Sequence, residues 1–160
     1  MQYVICLSFV FVFLWGEGKI DSIEVDDVFI NNQVKLQFDT DKFMTVFGNP
    51  DLTKKKINEY HGFQYEELFY KNSSFVFNND KLAGFNLVDD SFYLTYKGCR
   101  IEVGSDENIL KNLFNFSYRE KYTVEDDSYI VKIQFEDYDE YLMFKIKERK
   151  VISIFTWVDW

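Results

Sequence analysis

A chain of 160 residues is long enough for one domain, or for two very small units that share a core. Eighteen Phe and eleven Tyr supply ample core material, and one Pro with seven Gly excludes a low-complexity or linker-rich chain. Twenty-seven acidic against 18 basic side chains leave a net charge of −9, which repels phosphate backbones and argues against nucleic acid as a partner.

The first segment differs in kind from the rest. From Tyr3 to Trp15 every residue is apolar or Ser, and Gly16-Glu17-Gly18-Lys19 follows at once. The run is too short to span a hydrocarbon core of about 30 Å as a helix, but it has the length of a signal-peptide h-region. No Lys or Arg precedes it and no Ala-x-Ala follows it. Residues 1–18 are expected to be a signal peptide ending near Gly16 to Gly18, and the mature chain secreted or periplasmic. A buried strand rich in Phe and Val is the alternative. Removal of the segment leaves Cys99 as the only cysteine, so an intramolecular disulfide is impossible. Cys99 is expected to be a small buried apolar group.

Next along the chain comes an internal repeat. Asp39 to Gly48 matches Asp106 to Asn115 at an offset of 67, with Phe43, Val46 and Phe47 falling on Leu110, Leu113 and Phe114. This spacing makes one apolar stripe on a short helix, and Phe47 and Phe114 are expected at equivalent buried positions. Asp39 and Asp106 stand where N-caps would accept free amides. Gly48 and Asn115 stand where a left-handed C-cap is needed, and Pro50 stops the first helix. Lys54-Lys55-Lys56 reads as a solvated loop.

Each helix is preceded by a strand-like piece, Val34 to Phe38 and Ile101 to Val103. Each is followed by a strand, Tyr65 to Tyr70 and Ser128 to Phe135, and by a hairpin. The first hairpin turns at Asn78-Asn79-Asp80-Lys81 and the second at Lys147-Glu148-Arg149-Lys150, 69 residues later. The expected class is α+β: an antiparallel sheet with short helices on one face, built from two tandem strand-helix-meander repeats. These form a single domain, 19–160, with repeat one at 34–97 and repeat two at 98–160. Neither repeat is large enough to bury a core alone.

Three motifs resemble the beta-lactamase-inhibitor-protein-like architecture, found singly in small outer-membrane assembly lipoproteins of the SmpA/OmlA type. They are Val46-Phe47-Gly48-Asn49-Pro50, Phe77-Asn78-Asn79-Asp80-Lys81-Leu82 and Ile101-Glu102-Val103-Gly104-Ser105. The resemblance covers roughly Val34 to Trp157 and implies an exported binding or assembly module, with no functional residue carried across. The chain lacks the lipobox of those lipoproteins, and Asn115 replaces the Gly of the second helix end.

Catalytic chemistry finds little material. The one histidine, His61, reads as a loop or strand-edge imidazole. No Gly-x-Ser-x-Gly elbow or Gly-rich phosphate loop is present. Zinc would need more His and Cys ligands than remain. Asp137-x-Asp139 lacks the Gly and distal Glu of a calcium loop. The acid pairs Asp26-Asp27, Glu66-Glu67, Asp89-Asp90 and Asp126-Asp127 are read as solvated residues bounding strands. Neither a metal nor a cofactor is expected, and the chain is expected not to be an enzyme. The sequons at Asn72 and Asn115 say only that those sites are open to glycosylation in a eukaryotic secretory pathway.

The last hairpin is apolar on both alternations: Leu142, Phe144 and Ile146 against Tyr141 and Met143, then Ile152 and Ile154 against Phe155 and Trp157. A sheet with one solvated face should alternate with polar residues. Either both faces are covered, for instance by the N-terminal segment or Trp160, or one carries a partner. A plain two-residue turn at Glu148-Arg149 sets Phe155 and Trp157 beside Leu142 and Phe144; a longer turn or a bulge sets them beside Tyr141 and Met143. Trp157, Phe155, Tyr141 and Met143 are the candidate partner-binding residues. The sequence thus points to an exported, non-enzymatic protein that binds another macromolecule, a protein rather than nucleic acid. The alternative is an immunity-type or inhibitor protein that neutralises a toxin or enzyme, where acidity suits a basic target.

Overall fold

The computed structural model describes residues 19–59, 62–136 and 138–157. The expected signal segment, His61 and Trp160 lie outside these residues, as does the side chain of Trp157. In chain order the elements begin with β1 (Ser22–Ile23), a single 3-10 turn (Val25–Asp27), β2 (Val28–Ile30), β3 (Val34–Lys35) and α1 (Thr40–Phe47). A first meander follows: β4 (Leu52–Ile57), β5 (Gln64–Tyr70), β6 (Ser73–Asn78) and β7 (Lys81–Leu87). Then come β8 (Tyr93–Tyr96), β9 (Cys99–Glu102), α2 (Asn108–Leu113) and α3 (Asn115–Arg119). The second meander is β10 (Tyr122–Val124), β11 (Ser128–Phe135), β12 (Tyr141–Lys147) and β13 (Lys150–Trp157). The class is α+β and dominated by sheet, as the alternation of apolar residues implies.

The two meanders join through their last strands into a nine-stranded sheet ordered β1-β11-β12-β13-β7-β6-β5-β4, with β10 also on β11. Antiparallel pairing runs throughout except at β1, which lies parallel to the end of β11. At the junction Phe155 faces Asn86 and Ile154 faces Leu87. A smaller sheet, β3-β2-β8-β9, is built from the N-terminal segment and the stretch between the meanders; the sequence reading did not foresee it as a separate sheet.

Both inner hairpins close in the same way. Asn79-Asp80 and Glu148-Arg149 each hold both φ angles near +50 to +60°, the two-residue turn whose twist matches that of the strands. Both hairpins carry an irregularity just beyond the turn, so that Val76 faces Gly84 and Lys145 faces Ser153. Each helix start docks on its turn. The Thr40 amide donates to the Asp80 carbonyl (2.9 Å), and the Glu107 amide to the Arg149 carbonyl (3.0 Å). Beside them Leu82 N–H donates to the Phe38 carbonyl (3.1 Å) and Val151 N–H to that of Ser105 (2.9 Å).

One core lies between the inward face of the large sheet and the helices with the small sheet. Phe43 of α1 meets Phe75 and Phe77 at centroid distances of 4.5 and 5.7 Å. Phe114, between α2 and α3, lies 5.3 Å from Tyr96 and 6.1 Å from Phe144. Burying such rings contributes about 3 kcal/mol each at the upper end of area bookkeeping.

Four expectations are corrected. Lys54-Lys55-Lys56 is not a loop but the centre of edge strand β4, where Lys55 and Lys56 pair with Glu66 and Glu67 of β5 at 2.8 and 2.6 Å. Those two acids lie within a strand, not at its boundary. Asn115 is not a C-cap. The chain leaves α2 at Phe114 and winds again at once as α3, because Ser117 is tied to Asp21 by a reciprocal pair of hydrogen bonds of 2.8 Å. Phe47 and Phe114 are not equally buried. Phe114 is 1% exposed, whereas Phe47 packs only at the edge of the core and Val46 of the same stripe is 39% exposed.

The capping of α1 matches its residues. Asp39 accepts from the Lys42 amide at 2.7 Å, and Gly48 takes φ +81° while its amide donates to Met44. The Tyr70 hydroxyl then donates to the Gly48 carbonyl at 2.8 Å. Burial, helped by the charge of Asp51, pushes that phenol up to about 12.

Candidate functional site

The second hairpin resolves the question of register. Its turn is two residues long, pairing Lys147 with Lys150 and Ile146 with Val151, but the register then slips so that Lys145 meets Ser153. Ile152 is the extra residue. A bulge of this kind inverts the facing of everything beyond it. Phe155 therefore faces Met143, and Trp157 faces Tyr141. Tyr141, Met143 and Phe155 share the outward face, and the inward places go to Leu142, Phe144 and Ile154, all 2% exposed or less.

Met143 is itself only 5% exposed, set in register between Lys132 and Phe155. It is a floor rather than an anchor. Tyr141 and Phe155 are half-buried and present the accessible ring surface. Lys132 places its ammonium 3.3 Å from the Tyr141 ring centroid, a diagonal cross-strand contact of a cation with a π face. At the far side of the sheet Lys54 sits over Phe69 at 4.7 Å by the same diagonal geometry.

Following the register across every strand shows a feature that sequence reasoning missed. The outward positions carry Lys54 and Lys56 on β4, Lys132 on β11, and Lys145 and Lys147 on β12, against one carboxylate, Glu67 on β5. Glu67 is held by Lys56. Lys54, Lys132, Lys145 and Lys147 make no ion pair among the described residues. Two further lysines stand beside the turns: Lys81 bridges to the Asp39 backbone, and Lys150 lies 3.9 Å from Asp106. The period-two spacing of Lys145 and Lys147 was the available signal, but the acidity of the whole chain masked it.

A second feature is a cavity of about 520 Å³ where β7 and β13 part. Phe38, Leu36, Phe85 and Phe135 form its walls, and Gln37, Tyr138 and Glu140 its polar rim. There Thr156 Oγ1 accepts from the Phe85 amide at 3.0 Å, and Gln37 donates to the Tyr138 hydroxyl. Burial pushes the Glu140 carboxyl above the usual range. Among the described residues, no nucleophile is paired with a base in this cavity.

The remaining singled-out residues lie apart. Cys99 is partly exposed at the start of β9, a correction to its expected burial. Asp126-Asp127 forms the β10–β11 turn with both φ positive. Asp89 accepts from the Asn72 and Ser91 amides at 3.1 and 3.0 Å. Burial alone would raise it, but these bonds, with help from Ser91 and Ser73 hydroxyls, hold it below the usual aspartate value. Among the described residues no three His, Cys, Asp or Glu side chains gather to hold a metal, and no helix is long and apolar enough to cross a membrane.

Comparison of the chain with protein-family models, curated proteins and solved structures returned no significant match.

Proposed function

We propose that this is an exported, non-enzymatic binding protein whose protein partner docks on the outward face of the nine-stranded sheet. The observation that carries the reading is the bulge at Ile152, which sets Phe155 beside Met143 and on the same face as Tyr141. A bulge costs ladder hydrogen bonds, and here it turns aromatic surface away from the core. Large rings with few rotatable bonds are the usual anchors of protein interfaces.

The same proposal holds that the two helix-and-meander units are a tandem duplication, in keeping with the resemblance to the beta-lactamase-inhibitor-protein-like architecture. Support comes from the matching turns, slipped registers and helix-to-turn hydrogen bonds, and from the junction pair Asn86 and Phe155, itself separated by the 69-residue offset of the turns. Export rests on the apolar run Tyr3 to Trp15. N-terminal sequencing from the native host should find a mature start between Glu17 and Asp21; an intact Met1 in a cytoplasmic fraction contradicts it.

The binding face is tested by placing a photo-crosslinking amino acid at Tyr141 of the full chain in its native host, with Lys111 on α2 as control. An adduct with one protein from position 141 and none from 111 is expected. Equal labelling, or none at 141, overturns the reading.

A further inference from the structure

We infer that the outward sheet face recognises an acidic protein surface, although the chain as a whole is acidic. This rests on the reading of that face as the binding surface and adds the chemistry of the partner.

Charge is distributed very unevenly over the fold. The chain has 27 acidic side chains, yet the outward strand positions hold Lys54, Lys56, Lys132, Lys145 and Lys147, with Lys81 and Lys150 beside the turns, and a single carboxylate already neutralised by Lys56. Lys132 and Lys145 are diagonal neighbours across β11 and β12, since Lys132 faces Met143 and Ile130 faces Lys145. Such neighbours lie about 7–8 Å apart, and Lys147 follows Lys145 at about 7 Å along the strand. Lys145 thus lies within roughly one Debye length at physiological salt, about 8 Å, of both Lys132 and Lys147, so its potential adds to each of theirs. Like charges held this close repel, and a partner of opposite sign relieves that repulsion.

The aromatic stripe lies between this group and the second one, Lys54 and Lys56 at the other edge. Carboxylates of the partner meet the lysines while its apolar atoms cover Tyr141, Phe155 and Phe69. A basic target, which net charge alone suggests, is repelled at this face. A long polyanion is disfavoured because it runs off the lysines onto acidic surroundings.

The full chain, labelled for amide NMR, is titrated with oligo-glutamate, oligothymidylate and phosphatidylserine vesicles. Oligo-glutamate should shift amides of β11, β12 and β4, with affinity falling as salt rises. The double change Lys132→Glu and Lys145→Glu should weaken it at least about tenfold, while Lys111→Glu on α2 stays within about twofold. If the reversal variant fails to fold, Lys132→Gln with Lys145→Gln should still cost about fivefold or more.

The inference is overturned if oligo-glutamate leaves this face unshifted or binds the folded variants as well as the parent. It is overturned equally if oligothymidylate or the vesicles bind these lysines more tightly than oligo-glutamate. An adduct at position 141 with no oligo-glutamate binding retains the docking face and removes its acidic partner. Oligo-glutamate binding without an adduct does the reverse.

Discussion

Phe43 in α1 and Leu110 in α2 take corresponding places beneath the two meanders, and both are fully buried. Around Phe43 stand the rings of Phe38, Phe47, Tyr70, Phe75, Phe77 and Phe92, all with centroids within 6.3 Å. Leu110 shares a core with Val131, Ile133, Ile146 and Val151, together with Phe114 and Phe144. One unit fills its volume with interlocked aromatics and a single capped helix; the other uses aliphatics and a helix broken at Phe114. In both, the helix start is docked on its turn by main-chain bonds that ask nothing of the side chains.

The largest expected effect breaks the aromatic unit. Phe43→Ala removes the ring at the centre of the cluster and should cost about 4–5 kcal/mol, against about 3 kcal/mol for Leu110→Ala. Denaturant unfolding of both variants checks the order. The next effect sharpens the contrast at the helix ends: Phe114→Ala should cost about 3–4 kcal/mol and Phe47→Ala about half that, because Phe47 is only partly covered.

Smaller effects come from the turns and caps. Asp39→Ala removes the bond to the Lys42 amide and should cost about 1 kcal/mol. In the second unit Glu148 sits at φ +51°, a conformation Asn accepts more readily than Glu. Glu148→Asn should therefore stabilise by up to about 1 kcal/mol, read as a raised melting temperature.

The smallest effects depend on pH and have opposite signs. Glu140 is raised by burial, so the folded state holds its proton longer, and stability falls as pH rises from the ordinary glutamate value through the folded one. Glu140→Gln should melt higher than the parent at neutral pH, with the gap closing in acid. Asp89 is lowered, so its contribution is present above the ordinary aspartate value and lost as pH falls through the folded one. Asp89→Asn should melt lower at neutral pH and match the parent in acid. Melting curves across pH separate the two.

Much of the sheet was legible in advance. Strands with alternating apolar residues, such as Tyr129, Val131, Ile133 and Phe135, declare their inward face, and Asn79-Asp80 declares its turn. The edge strand β4 was not legible, since Leu52 to Ile57 is exposed at every position and carries no alternation for periodicity to find. The break after Phe114 was hidden too, because it depends on Asp21, distant in sequence. The candidate face hung on one extra residue, Ile152. Spacing alone gives both registers, and only the pairing of β13 with β12 decides between them.

That face is the centre of the account, and Phe155→Ala tests it most directly when affinity for the crosslinked partner and unfolding are measured on the same protein. The account predicts a loss of about 2 kcal/mol or more in binding with a nearly unchanged melting temperature. Unaltered affinity with a clearly lowered melting temperature would show that Phe155 is packing, and the outward face would lose its role.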